Sequence, residues 1–174
     1  AVGVTALLLN GRIVLIADTL VHEWPDENDL ATIAERSAGV ARHLGLEPRV
    51  AFVSFSTFGY PVSERAQKMH KAPEILDARG VDFEYEGEMT VDVALSTKAQ
   101  EAYPFQRLTG PANILVVPAR HSASISVKLM QEMAGATVIG PILSGVDKSI
   151  QICSTNMTAN DILNMAVLAA CKVG

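Results

Sequence analysis

A chain of 174 residues with 49% hydrophobic content can build one substantial core, or one domain and part of another. Its net charge is −5, and its 14 Lys and Arg residues are scattered singly, which argues against a nucleic-acid or acidic-membrane surface. No apolar run reaches the roughly 18 residues that a membrane-crossing helix needs, and no basic segment precedes the apolar opening, so a cytoplasmic setting is expected. The lack of an initiator Met suggests a piece of a longer polypeptide.

In chain order, Leu7–Leu9 and Ile13–Ala17 are apolar runs split by Asn10-Gly11, the strongest short-range hairpin signal. Pro25 and an acidic cluster open a helix over Asp29–Leu44, with Leu30, Ile33, Ala34, Ala38, Ala41 and Leu44 on one face and Gly45 as its stop. Arg49–Ser56 reads as a central strand. Glu64–Leu76 reads as a helix that Pro73 kinks or breaks. Val81–Tyr85 is a strand, Val91–Leu95 a short strand or turn, and 96–103 a short helix. The stretch from Tyr103 to Pro111 is a loop punctuated by prolines and a glycine. Asn113–Val117 is a buried strand, and Ser122–Met133 a helix ended by Gly135. Val138-Ile139 begins a strand, Ser149–Cys153 forms another, and the last helix spans Ala159–Lys172. Strands and helices alternating at this pitch predict an α/β fold, a mostly parallel sheet with helices on both faces. The final helix is apolar nearly all round, so it needs cover on more than one side.

The chemistry concentrates in the last third. Ser154, Thr155 and Asn156 lie between the expected strand and a helix opening at Thr158, whose free N–H groups suit an anion. An ordinary capping box accounts equally well for Thr158 and Asp161. Gly140, Pro141, Ser144 and Gly145 could admit a close ligand or form a simple turn. Ser54, Ser56, Thr57 and Gly59 sit at a strand end, the usual ligand side of an α/β sheet, though polar strand ends also occur without a ligand. His22, His43, His70 and His121 have no metal-ligand spacing and read as surface or loop residues, so no metal is expected. Glu84, Glu86 and Glu88 alternate along a strand and read as a solvated face. Cys153 and Cys171 read as buried free thiols. Asn156-Met-Thr158 matches a glycosylation sequon by chance.

Phe55-Ser-Thr-Phe-Gly59, Glu64-Arg-Ala-Gln-Lys-Met69, the segment from Tyr85 to Leu95, and that from Tyr103 to Asn113 follow one another in the order found in the phosphotransacetylase family. Ile139-Gly-Pro-Ile-Leu-Ser-Gly145 and Asp161-Ile-Leu-Asn-Met-Ala166 continue that order. The chain thus resembles this family from about Leu7 to Val173, with the flavour of the C-terminal region of large bacterial NADP-dependent malic enzymes. The resemblance implies an isocitrate/isopropylmalate dehydrogenase-like fold, here partial. Residues 1–148 would form the inner, dimer-forming subdomain, and 149–174 would return to the other, mostly absent one.

In active family members a Ser-Arg pair and a following Asp work on acetyl-CoA and phosphate. Ser154 and Asp161 fall on the serine and aspartate, and Thr155 falls on the arginine. A neutral side chain there removes a bidentate phosphate contact, a loss on the order of 10²-fold or more in rate. The family's cysteine near the first strand is likewise replaced at Asp18-Thr19. By resemblance, the chain is a regulatory and oligomerisation region that binds acetyl-CoA as effector without acetyl transfer. Its partners are a second copy and an N-terminal malic enzyme domain that carries NADP and Mg or Mn. An active acetyltransferase and a pure oligomerisation module are the alternatives.

Overall fold

The computed structural model describes residues 1–155 and 157–171, apart from the Arg65 side chain. Six strands, β1 (Val2–Leu9), β2 (Arg12–Ala17), β3 (Arg49–Val53), β4 (Glu84–Met89), β5 (Ile114–Val116) and β6 (Thr137–Ser144), form one sheet in the order β4-β3-β5-β2-β1-β6. The strands β4, β3, β5 and β2 pair in parallel, whereas β1 is antiparallel to both β2 and β6. The sheet is mixed and mostly parallel, as the alternation of elements predicts.

Asn10-Gly11 makes the predicted hairpin turn between β1 and β2, with φ of 51° and 74° and Leu9 facing Arg12. Positive φ at both central residues gives the turn the twist of the strands it joins. Alternate side chains along each strand feed two cores. Leu15, Val50, Phe52, Ile114 and Val116 point into one, and Ile16, Ala51, Val53, Leu115 and Val117 into the other.

Helices α1 (Glu27–His43) and α2 (Glu64–Arg79) cover the first core. The second lies under α3 (Val91–Leu95), α4 (Thr97–Gln100) and α5 (Arg120–Ala134). In α1, Asp26 and Asp29 form a reciprocal capping box, and Leu30 and Ile33 are fully buried. Full burial of side chains this size contributes about 1.5–3 kcal/mol each. Helix α6 (Ala159–Ala170) packs along β6.

Four expectations about local structure need correction. Pro73 lies inside α2, which runs unbroken to the left-handed cap at Gly80. Met69, Ala72 and Leu76 are fully buried around it, and this packing outweighs the lost hydrogen bond. Residues 91–95 are helical. Residues 149–153 form no strand, because β6 already takes the sheet position beside β1. The stretch from Gly140 to Ser144 is not a turn but the second half of β6, bulged where Gly140 and Pro141 lie across from Thr5.

Candidate functional site

The bulge has a packing cause. Gly140 has a φ of +134°, and a Cβ there would come within 2.9 Å of the Val4 carbonyl oxygen and 3.1 Å of Thr5 Cα. Only glycine fits, and Pro141, which has no N–H to donate, suits a break in the ladder. The bulge turns this part of β6 towards a cleft of about 580 Å³. Thr5 and Thr19 line it from the β1–β2 side, and Thr137 to Pro141 from β6. Ser124, Val127, Lys128 and Gln131 come from α5; Asp161, Asn164 and Met165 come from α6; Ser154 and Met157 come from the segment before α6.

The predicted site residues separate here. Gly140, Pro141, Ser154 and Asp161 all line the cleft. Ser144 is buried opposite Val2, and Gly145 packs against Arg36, so neither reaches it. Thr155 and Thr158 are exposed beside the cleft without lining it. Asn156, with its sequon, lies outside the described residues.

The α6 capping box forms as the sequence predicts. The Thr158 hydroxyl accepts from the Asp161 amide at 3.2 Å, while the Thr158 amide and hydroxyl donate to Asp161 Oδ2 at 2.9 and 2.7 Å. Those donors hold the Asp161 carboxyl below the usual carboxylate range. Asp161 therefore stays ionised at neutral pH and itself complements the positive end of the helix dipole. Lys128 is the one cation among the described residues that line the cleft.

Asp18 organises the near wall. Its Oδ1 accepts from the amides of Gly3 (3.0 Å), Leu20 (2.7 Å) and Val21 (3.0 Å). Its Oδ2 accepts from the His22 amide at 2.9 Å and lies 2.7 Å from His22 Nδ1. Burial alone would raise this carboxyl's pKa, but the three amides after it and the His22 ring bring it below the usual range. The loop so fixed carries Thr19, whose hydroxyl donates to the Gly3 carbonyl and receives a bond from Thr5. A cleft with one lysine, hydroxyls and amides can hold an anion. Among its described lining residues there is no arginine fork with which to clamp one.

Elsewhere the structure reassigns polar groups. Glu86 and Glu88 are buried, not solvated. Glu88 accepts from the Ser56 hydroxyl and the Gly59 amide, each at 2.8 Å, and its other oxygen lies 2.9 Å from His70 Nδ1. Glu86 accepts from the backbone and side chain of Arg107, and Glu84 from Thr109. The polar end of β3 therefore ties loops together, with Thr57 bonded to Thr90. The sequence signal for this was Gly87, which separates the two glutamates and lies so close to Phe52 that a Cβ would clash with its carbonyl. His43, His70 and His121 are exposed, as predicted, and His22 is half-buried; His22 and His70 each partner a carboxylate. Cys153 and Cys171 are exposed, because 149–153 joins no sheet and the outer side of α6 is bare. Three of the amides that Asp18 gathers follow it in the chain, and the fourth, from Gly3 of β1, reaches it only through the fold.

Comparison with known proteins places this geometry. The model of the family described as Phosphate acetyl/butaryl transferase matches residues 1–170. An NADP-dependent malic enzyme of Rhizobium meliloti (strain 1021) is 54% identical over 99% of this chain, which spans 23% of that relative's length. A phosphate acetyltransferase of Bacillus subtilis (strain 168) is 32% identical over 91% of the chain and 49% of its own length. In structure, a phosphotransacetylase from Streptococcus pyogenes superposes with a TM-score of 0.93 at 28% identity, covering 99% of this chain and 53% of that one. No helix among the described residues is long and apolar enough to cross a membrane. With the match running from β1 to the end of α6, the chain belongs to the phosphate acetyl/butaryl transferase family.

Proposed function

We propose that this chain is the C-terminal regulatory and oligomerisation region of an NADP-dependent malic enzyme, binding acetyl-CoA as allosteric effector without transferring its acetyl group. One observation carries the reading. Ser154 and Asp161 line the cleft, but the residue after the serine is a neutral, exposed threonine, and the aspartate already serves a capping box. The elements that bind outlast the arginine that would stabilise a transition state.

Residues 1–148 form the dimer-forming subdomain in this reading, and 149–174 complete a second one. Ile162, Leu163 and Val167 support this, since all three face outward from α6 and are 48%, 59% and 53% exposed. Malate oxidation, NADP and Mg or Mn belong to the N-terminal region of the parent protein. Acetyl-CoA acts by binding one arrangement of the assembly more tightly than another.

The test is malate-dependent NADPH production by the full-length protein as acetyl-CoA is added, with free CoA as control. A saturable change that Ser154→Trp weakens is the expected result. A flat response with intact malic activity leaves a pure oligomerisation module. Acetyl phosphate formed from acetyl-CoA and phosphate, and lost in Ser154→Ala, makes the protein an active acetyltransferase instead.

A further inference from the structure

Helix α5 buries only Ala123 of its 15 residues. At about 100° per residue, Ser124, Lys128 and Gln131 fall on one face of it and Ser122, Ser126, Leu129 and Met133 on the opposite one. The first face lines the cleft that the proposed function fills. The second, with Ile125 beside it, is bare: Ile125, Leu129 and Met133 are 60%, 56% and 82% exposed. By contrast α1 and α2, on the other face of the sheet, expose no large apolar side chain among their described residues. Those two helices are finished towards water, and α5 is not. Beside the bare ridge runs a groove of about 390 Å³, floored by Leu7, Ile16 and Val53 and walled on one side by Ser126, Leu129 and Met130 of α5.

A ridge next to a groove on one uncharged helix face suits a two-fold contact, because each copy then offers its ridge to the other's groove. The charges at its border, Arg12 at the groove and Glu132 on α5, are opposite in sign and form no ion pair with any described residue, so each can meet the other across the axis. We propose that the outer face of α5 packs on the same face of a second copy, and that α5, the wall shared with the cleft, makes effector binding and pairing strengthen one another. The inference rests on the reading of the cleft as an acetyl-CoA site and of residues 1–148 as dimer-forming; it adds which face pairs and how the effector is felt there. A helix with one buried residue takes its position from what covers its two faces. Acetyl-CoA held against Ser124, Lys128 and Gln131 fixes α5, so the second copy meets a ridge already ordered. By linkage, pairing raises the affinity for acetyl-CoA by the same factor.

The experiment compares the full-length protein with two variants, Leu129→Glu and Met133→Glu, whose side chains are exposed and do not line the cleft. Light scattering reads particle mass, calorimetry reads acetyl-CoA affinity, and circular dichroism checks the fold of each variant. Each variant is expected to lower the particle mass and to weaken acetyl-CoA binding at least about fivefold. If wild type binds acetyl-CoA and neither variant loses mass, the proposal is overturned, and another part of the parent protein covers α5. If wild type binds acetyl-CoA and the variants lose mass with their affinity unchanged, it is overturned as well, since the two faces are then independent. In both cases the effector reading stands. Wild type that binds no acetyl-CoA sinks the effector reading itself, and the coupling with it, whatever the masses show.

Discussion

Replacing Asp18 by Asn tests how the near wall of the cleft is held. The substitution keeps shape and volume, and Asn Oδ1 can still accept from Gly3, Leu20 and Val21. It removes the charge, however. A hydrogen bond to a charged group contributes about 1.5–3 kcal/mol against about 0.5–1.5 for a neutral one, so three such bonds lose roughly 3 kcal/mol together. On the other side, an NH₂ group now faces the His22 amide, where Oδ2 accepted at 2.9 Å, and stranding that donor adds about 1 kcal/mol. The sum is about 4 kcal/mol, discounted to about 3 because Leu20 and His22 are only partly buried, Val21 is exposed, and water reaches them. For a chain this long each kcal/mol moves Tm by about 2–4 °C, so thermal unfolding at pH 7 should fall by about 6–12 °C.

The pH dependence has a definite sign. The folded pKa of Asp18 lies below the ordinary value of 3.8, so its contribution is complete above about pH 5 and fades as pH falls through the folded pKa. Wild type and Asp18→Asn should therefore converge under acid. A difference below about 1 kcal/mol at pH 7, or one that persists unchanged below pH 3, refutes the claim that an ionised carboxylate holds this loop.

Three further outcomes follow from the geometry. Gly140→Ala forces a Cβ against the Val4 carbonyl at a φ that alanine rarely adopts, and should cost about 2–4 kcal/mol in urea unfolding while weakening any cleft ligand. Glu88→Ala strands the Ser56 hydroxyl and the Gly59 amide, so hydrogen exchange at Gly59 should accelerate far more than exchange at β5; equal rates would mean that Glu88 does not pin the loop. Thr158→Ala removes the cap of α6 and should cost about 1 kcal/mol, seen as fraying of the first turn by amide exchange, with no change in α1.

Much of this protein was legible before any coordinate. Periodicity placed α1, α5 and α6, the Asn10-Gly11 pair fixed the first hairpin, and Thr158 with Asp161 announced a capping box, because each of these signals acts over a few neighbouring residues. Ordered motifs gave the family, since a fold's local requirements recur in the same sequence order. The failures share a cause. Glu86 and Glu88 looked solvated because alternation along a strand does not reveal covering segments, here the loop that carries Arg107 beside Glu86 and the loop of Ser56 and Gly59 beside Glu88. Pro73 looked like a break because propensity ignores the core around Met69 and Leu76.

The candidate site divides the same way. Ser154 was singled out by its place before a helix start, Asp161 by its capping box and both by the family resemblance, and the structure brings them to one cleft with Gly140 and Pro141. Ser144 and Gly145, next to them in sequence, turn elsewhere, because a strand sends successive side chains to opposite faces and the bulge resets the register. By itself the sequence determined the long helices, the hairpin and the family, all of them written in residue type, short spacing and the order of motifs. Only the tertiary structure decided which polar groups are buried, that Asp18 gathers donors from β1 and its own loop, and that α5 has a cavity on either side. Those facts depend on contacts between segments far apart in the chain, and no local pattern encodes what a distant segment will bring into contact.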